Sequence, residues 1–340
     1  MRSRRVVLAR MAERIPDIDV VRGFAITGLP VINLGLTVGK SHYPVPGPIS
    51  SVIYHDLFLH RFVTIFCFLF GLSFALVLRA AAERAPRPRL VLARRLAMLL
   101  AFGIFQLFLL DGNLQLVVYA TLGLVLLLPA SYLPRRVVLA LATGLLFVSV
   151  PFADSGVGEA VKILAITSGL LLLGATVVNY RIQDELPRHT AAIRTVFLIA
   201  AALAIVANVL HSDTVTVSGS AVGEVAMLAT SVAYVTGLLL LLRTRARRAL
   251  VAALAPLGRM ALTNFLVQAA AAVAFAAAFD VAGWNYSAVT FGCTEAFVVA
   301  QAVFCAWWLR RFRYGPCEWL WRCATWLTLV PMRRPVRVPR

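Results

Sequence analysis

Residues 17–34 read DIDVVRGFAITGLPVINL. Asp17, Asp19 and Arg22 stand at the mouth of a run that is otherwise apolar until Asn33. On a helix Asp19 and Arg22, three residues apart, share a face and can pair, and an acid in the first turn complements the helix dipole. The stretch therefore reads as an interfacial helix start that continues into a membrane span, with Asn33 near its far end. The remaining sequence agrees. Of 340 residues, 61% are hydrophobic and 14% charged, and mean hydropathy is +0.85, whereas soluble domains carry about 25% charged residues. Several runs reach the roughly 20 apolar residues that cross a hydrocarbon core. The prediction is an all-α, polytopic integral membrane helical bundle of about ten transmembrane helices.

The spans are predicted near 20–38, 56–78, 96–110, 114–133, 137–153, 160–178, 195–210, 222–242, 254–278 and 287–309. The third, fifth and seventh are short for a full crossing. Three segments follow: 1–16 as a basic N-terminal segment, 17–309 as the transmembrane domain, and 310–340 as an interfacial aromatic and basic tail. The first segment lacks the apolar core of a signal peptide, so the first span is expected to be retained. The net charge of +18 is carried almost entirely by arginine and falls in alternate connections, which argues for topology rather than nucleic acid. Lys40 and Lys162 lie on the other side. Both termini are thus expected in the cytoplasm, in a bacterial plasma membrane.

Ionisable and polar groups inside a bilayer are costly, and those retained mark pairs or sites. Asp19 and Arg22 read either as a helix-start anchor or as part of a cytoplasmic-side binding site. On the outer side His42, His55, Asp56, His60 and Arg61 cluster with Gln106, Asp111, Asn113 and Gln115. A histidine oriented by Asp56 has the make-up of a general base or covalent acceptor; an interfacial polar cluster is the plainer reading. Glu224 reads as interfacial. Glu295 falls eight residues into the last span, about 12 Å deep at 1.5 Å per residue, and Arg61 is its expected partner. Asn264 and Gln268, at i and i+4, suit interhelical hydrogen bonding or a polar cavity wall. In PLGRM, residues 256–260, Arg259 is read beside a helix start at the cytoplasmic face. Trp319, Trp321 and Trp326 with Arg322 suit the headgroup region. No disulfide framework, metal site, P-loop, nucleophile elbow or dinucleotide fingerprint is found.

Several stretches together resemble one family. DIDVVRGFAITGLPVINL is similar to the L-D-x-x-R-G-F-A start of the YeiB-like membrane proteins with the DUF418 domain. RFVTIFCFLFGLSFAL, LGRMALTNFLVQ and RRFRYGPCEWLWRCATW resemble further blocks of that family in the same order, from about residue 15 to 327. The chain departs from it in FQLFLLDGNLQLVVYATLG, where Leu114 falls at the family's acid and Gln106 in the region of its histidine. The family is grouped with transmembrane acyltransferases of the heparan glucosaminide N-acetyltransferase type. The resemblance therefore implies an acyltransferase using acetyl-CoA or another acyl-CoA from the cytoplasm and an envelope or secreted acceptor. In that reading Arg22 and Arg259 face the donor, and His60 or His55, oriented by Asp56, is the base. The alternatives are a small-molecule transporter with Glu295, Asn264 and Gln268 along its path, or a non-catalytic scaffold. The expected partners are the lipid bilayer and the acceptor, with no nucleic acid and no resident cofactor; a second copy of the chain is compatible with everything above.

Overall fold

Pro16 opens the first helix, α1 (Pro16–Val38), where a residue without an N–H costs nothing. The computed structural model describes residues 16–38, 57–58, 60–109, 114–149, 156–185, 189–212, 221–279 and 288–333. Helices α2 (Arg61–Ala82), α3 (Pro88–Leu109), α4 (Gln115–Ala130, with a π-helical stretch at Gly123–Leu127) and α5 (Arg135–Ser149) follow. Next come α6 (Gly156–Asn179), α7 (Thr190–Ser212) and α8 (Ala221–Leu241). The last four are α9 (Arg247–Arg259), α10 (Ala261–Ala278), α11 (Thr294–Arg311) and α12 (Pro316–Trp326). Among the described residues seven helices, α2, α3, α6, α7, α8, α10 and α11, contain segments long and apolar enough to cross a bilayer. Large apolar side chains such as Leu198, Ile199, Ile205, Val299 and Val303 are exposed on α7 and α11. In an apolar solvent such a surface has no reason to turn inward.

The bundle is organised around α1 and α2. α1 packs against α2, α9, α10 and α11, while α2 packs on α6, α8 and α3; α5–α6 and α7–α8 form flanking pairs. Small residues allow the closest crossings. A methyl on Gly71 would overlap the Leu171 carbonyl, and one on Gly174 the Phe68 carbonyl, so α2 and α6 touch backbone to backbone. Pro30 interrupts α1 and removes the N–H that would bond the Ile26 carbonyl. Gln268 Nε2 of α10 donates to that carbonyl at 3.2 Å, so the proline's loss is made good from a neighbouring helix.

Two expectations about the spans are corrected. The span expected over 254–278 is two helices, broken at Met260 (φ −113°, ψ 31°); Arg259 closes α9, two residues before α10 starts at Ala261. The Asn264 side chain donates to the Leu257 carbonyl at 3.1 Å, serving one of the carbonyls that a helix end leaves over. The third and seventh spans are full-length helices of 22 and 23 residues; only α5, at 15 residues, stays short. Lys162 and Glu224, on different helices, pair with each other. They are buried and lie 3.5 Å apart, with Ser149 Oγ donating to Glu224 at 3.1 Å, because burying one charge beside its opposite lowers the cost of burying either.

Candidate functional site

The DIDVVRG and PLGRM segments meet at the crossing of α1 and α9. A methyl on Gly258 would overlap the Asp19 carbonyl, and one on Gly23 the Leu254 carbonyl. Each glycine lets the backbones touch, and each is followed or preceded by an arginine, Arg22 and Arg259, that faces one cavity. The cavity has a volume of about 310 Å³, within the range of ligand pockets.

Four guanidinium groups, Arg22, Arg95, Arg259 and Arg322, and two carboxylates, Asp19 and Glu318, line it, so its charge is net positive. Arg22 donates to Asp19 Oδ1 at 3.2 Å and to Ser73 Oγ of α2 at 2.8 Å, which fixes the fork of its guanidinium between two helices. Arg95 lies 3.5 Å from the centroid of the Trp321 ring, and the Trp321 indole N–H donates to the Arg95 carbonyl at 2.7 Å. Arg322 stands over Tyr314 at 4.5 Å, and Arg259 donates to the Arg313 carbonyl at 3.4 Å. Glu318 accepts from the Thr263 N–H at 3.0 Å and hydroxyl at 2.6 Å. It thereby occupies the N-terminal end of α10, where a carboxylate is favoured. Burial nevertheless pushes the Glu318 carboxyl above its ordinary value of 4.5, against the pull of those hydrogen bonds.

Away from the arginines the lining is apolar. Along α2 the apolar part runs from beyond Ser73, which Arg22 bonds, to Phe66, about 10 Å at 1.5 Å per residue. At its deep end Phe66 stacks on Phe265, with centroids 5.9 Å apart and 15° between planes.

The sequence-predicted residues divide into three groups. Asp19, Arg22 and Arg259 come together at the cavity. Asn264 and Gln268 form a buried lattice with Gln301 and Cys305 of α11: Gln268 Nε2 donates to Gln301 Oε1 at 2.9 Å, and the Cys305 thiol to Asn264 Oδ1 at 3.3 Å. Asn33 and Gln106 are buried and Gln115 half-buried elsewhere. His60 is exposed, and its φ of 65° is in the left-handed region that non-glycine residues seldom occupy. It begins α2 six residues from Phe66, about 9 Å further along the helix. His42, His55, Asp56, Asp111 and Asn113 lie outside the described residues. The expected Arg61–Glu295 pair does not form. Arg61 instead donates to Asn208 Oδ1 at 3.0 Å, and Glu295 is exposed in the first turn of α11, next to the buried Thr294. Trp321, read at the headgroup region, packs on Arg95 in the cavity wall.

Sequence reasoning missed Arg95, Ser73 and Glu318, and read Arg322 at the headgroups instead of in this cavity. Arg94 and Arg95 are adjacent, one exposed and one partly buried, and only the helix's rotation separates them. Glu318, an acid among tryptophans in GPCEWLW, was the available signal.

The family described as "Protein of unknown function (DUF418)" matches residues 177–328, which include α9 to α12 and hence Arg259, Glu318 and Arg322. The "Uncharacterized 39.9 kDa protein in amylase 3'region" of Bacillus acidopullulyticus is 32% identical, over 94% of this chain and 96% of its own length. "Uncharacterized protein YxaH" of Bacillus subtilis (strain 168) is 26% identical, over 96% of this chain and 98% of its own. No solved structure matches. With a relative this similar along nearly its whole length, and with the family's signature over the helices that build half of the cavity, the chain belongs to the DUF418 family.

Proposed function

We propose that the protein is a membrane-embedded acyltransferase with ten crossings and both termini in the cytoplasm, drawing an acyl group from an acyl-CoA and delivering it to an acceptor at the outer face. The observation that carries this reading is the cavity's polarity. Guanidiniums at one end suit phosphate oxygens, and beyond Ser73, which Arg22 bonds, an apolar shaft runs about 10 Å along α2 to Phe66. In an acyl-CoA the diphosphate and the thioester sulfur are separated by roughly 13 bonds, about 15 Å fully extended. With the diphosphate at Arg22, Arg95, Arg259 and Arg322, a bent pantetheine arm fills the shaft and brings the thioester to Phe66 and Phe265.

His60, on the side of Phe66 away from the arginines, is the proposed base. It takes the proton from an acceptor hydroxyl or amine as that atom attacks the thioester carbonyl. The carbon–sulfur bond then breaks and the proton passes to the leaving thiolate, giving the acylated acceptor and CoA. The left-handed backbone of His60 supports the assignment, since strain of this kind, about 1–3 kcal/mol, is retained where the surroundings enforce it. The test is turnover of labelled acetyl-CoA by purified protein in vesicles supplied with envelope extract. His60→Ala is expected to lower transfer at least about 100-fold, the ordinary size of a general-base contribution. Undiminished transfer in that variant removes His60 from the mechanism.

A second reading is transport of a phosphate-bearing lipid. It draws on the shaft beyond Ser73, lined only by aliphatic and aromatic side chains, which suits a hydrocarbon chain better than amides. Competition between CoA and dodecyl phosphate for the purified protein separates the two.

A further inference from the structure

The cavity stops at Phe66 and Phe265, yet the rings do not. Phe24 lies 5.2 Å from Phe62 and 5.9 Å from Tyr234, centroid to centroid. Phe62 lies 5.9 Å from Tyr234 and 5.4 Å from Phe58, and stacks on the latter at 26°. Phe58 in turn meets Phe291, the residue before the last turn into α11, at 5.7 Å. This column lies between the floor of the cavity and the end of α2 that carries His60, with Phe62 buried and Phe24, Phe58, Tyr234 and Phe291 half-buried. Phe62 is buried and sits in the notch of Gly28; a methyl there would overlap its ring. It also lies in the first turn of α2, whose preceding residue is the left-handed His60 and makes no side-chain capping bond.

We infer that this column is a closed partition between the donor cavity and the opposite face, and that Phe62, seated on Gly28, is its gating residue. The inference rests on the acyl-transfer reading for its purpose: the thioester lies on one side of the partition and the base on the other, so transfer requires Phe62 to leave its notch. While it stays, water from the His60 side is excluded and the thioester is protected from hydrolysis, in which water would add to the carbonyl and release the acid and the CoA thiol.

The test uses the full-length protein in vesicles of defined orientation, with the native cysteines replaced by serine and a single reporter at Leu69→Cys, which lines the shaft. A membrane-impermeant methanethiosulfonate added from the arginine-rich side should label the reporter whether or not Phe62 is present. Added from the His60 side, it should label at least about tenfold faster in Phe62→Ala and in Gly28→Ala, where the added methyl displaces the ring, than in the parent. Phe62→Leu is the substitute should Phe62→Ala not survive size-exclusion chromatography. Where transfer is measurable, the same variants should raise hydrolysis relative to transfer. Fast labelling from the His60 side with Phe62 intact overturns the inference, as does unchanged labelling in folded variants. Labelling needs no donor, so absence of acyl-CoA turnover together with gated labelling would refute the transfer reading alone.

Discussion

At the scale of single residues, two contacts decide whether α1 holds its place. Gln268 reaches the Ile26 carbonyl that Pro30 leaves without its helical donor. Gln268→Leu is expected to cost about 1–3 kcal/mol, the penalty of a buried unsatisfied carbonyl. In a Pro30→Ala background the restored N–H takes that carbonyl and the cost should shrink; a double-mutant cycle of thermal unfolding in detergent measures the coupling. Equal losses in both backgrounds would show that Gln268 acts through Gln301 alone. Gly258→Ala should lower stability by about 1–3 kcal/mol, the cost of an overpacked contact. It should also weaken ligand binding, because Arg22 and Arg259 separate as α1 and α9 part. The sequence made these polar and glycine positions visible, as Asn264, Gln268 and the R-G and G-R pairs. What each touches depends on the helix opposite, which no local pattern states.

At the scale of elements, α12 is the wall of the cavity held by a titratable contact. Glu318 on the end of α10 and Trp321 on Arg95 hold it. Burial raises the folded-state pKa of Glu318, so its contribution to stability is full below the ordinary glutamate value and is lost as pH rises through the raised one. Docking of α12, followed by tryptophan fluorescence or protease resistance, should weaken across that interval, and Glu318→Gln should flatten the dependence. A slope unaltered in that variant would assign it to another group. The break at Met260 was not legible because LGRMALTNFLVQ reads as one apolar run. The packing of Trp321 on Arg95 was hidden similarly, since an aromatic–arginine segment beside a membrane normally faces headgroups.

For the whole molecule, the all-helical architecture was legible from composition and span length alone, because a bilayer leaves a chain few ways to satisfy its backbone. The lateral order of helices was not. Arg61 finds Asn208 and Lys162 finds Glu224, whereas depth counting along single spans paired Arg61 with Glu295 and gave Lys162 no partner. The arginine cavity unites α1, α2, α3, α4, α9, α10 and α12, and half of its charge was concealed among residues that read as topology signals. That convergence of guanidiniums above an apolar shaft is the centre of the account. Its most direct test is saturable binding of an acyl-CoA to the purified protein, titrated beside Arg22→Gln, Arg95→Gln and Arg322→Gln. The parent is expected to bind, and each variant that remains folded to lose about tenfold or more, near 1.4 kcal/mol. Binding of equal strength in the parent and all three variants would contradict that expectation.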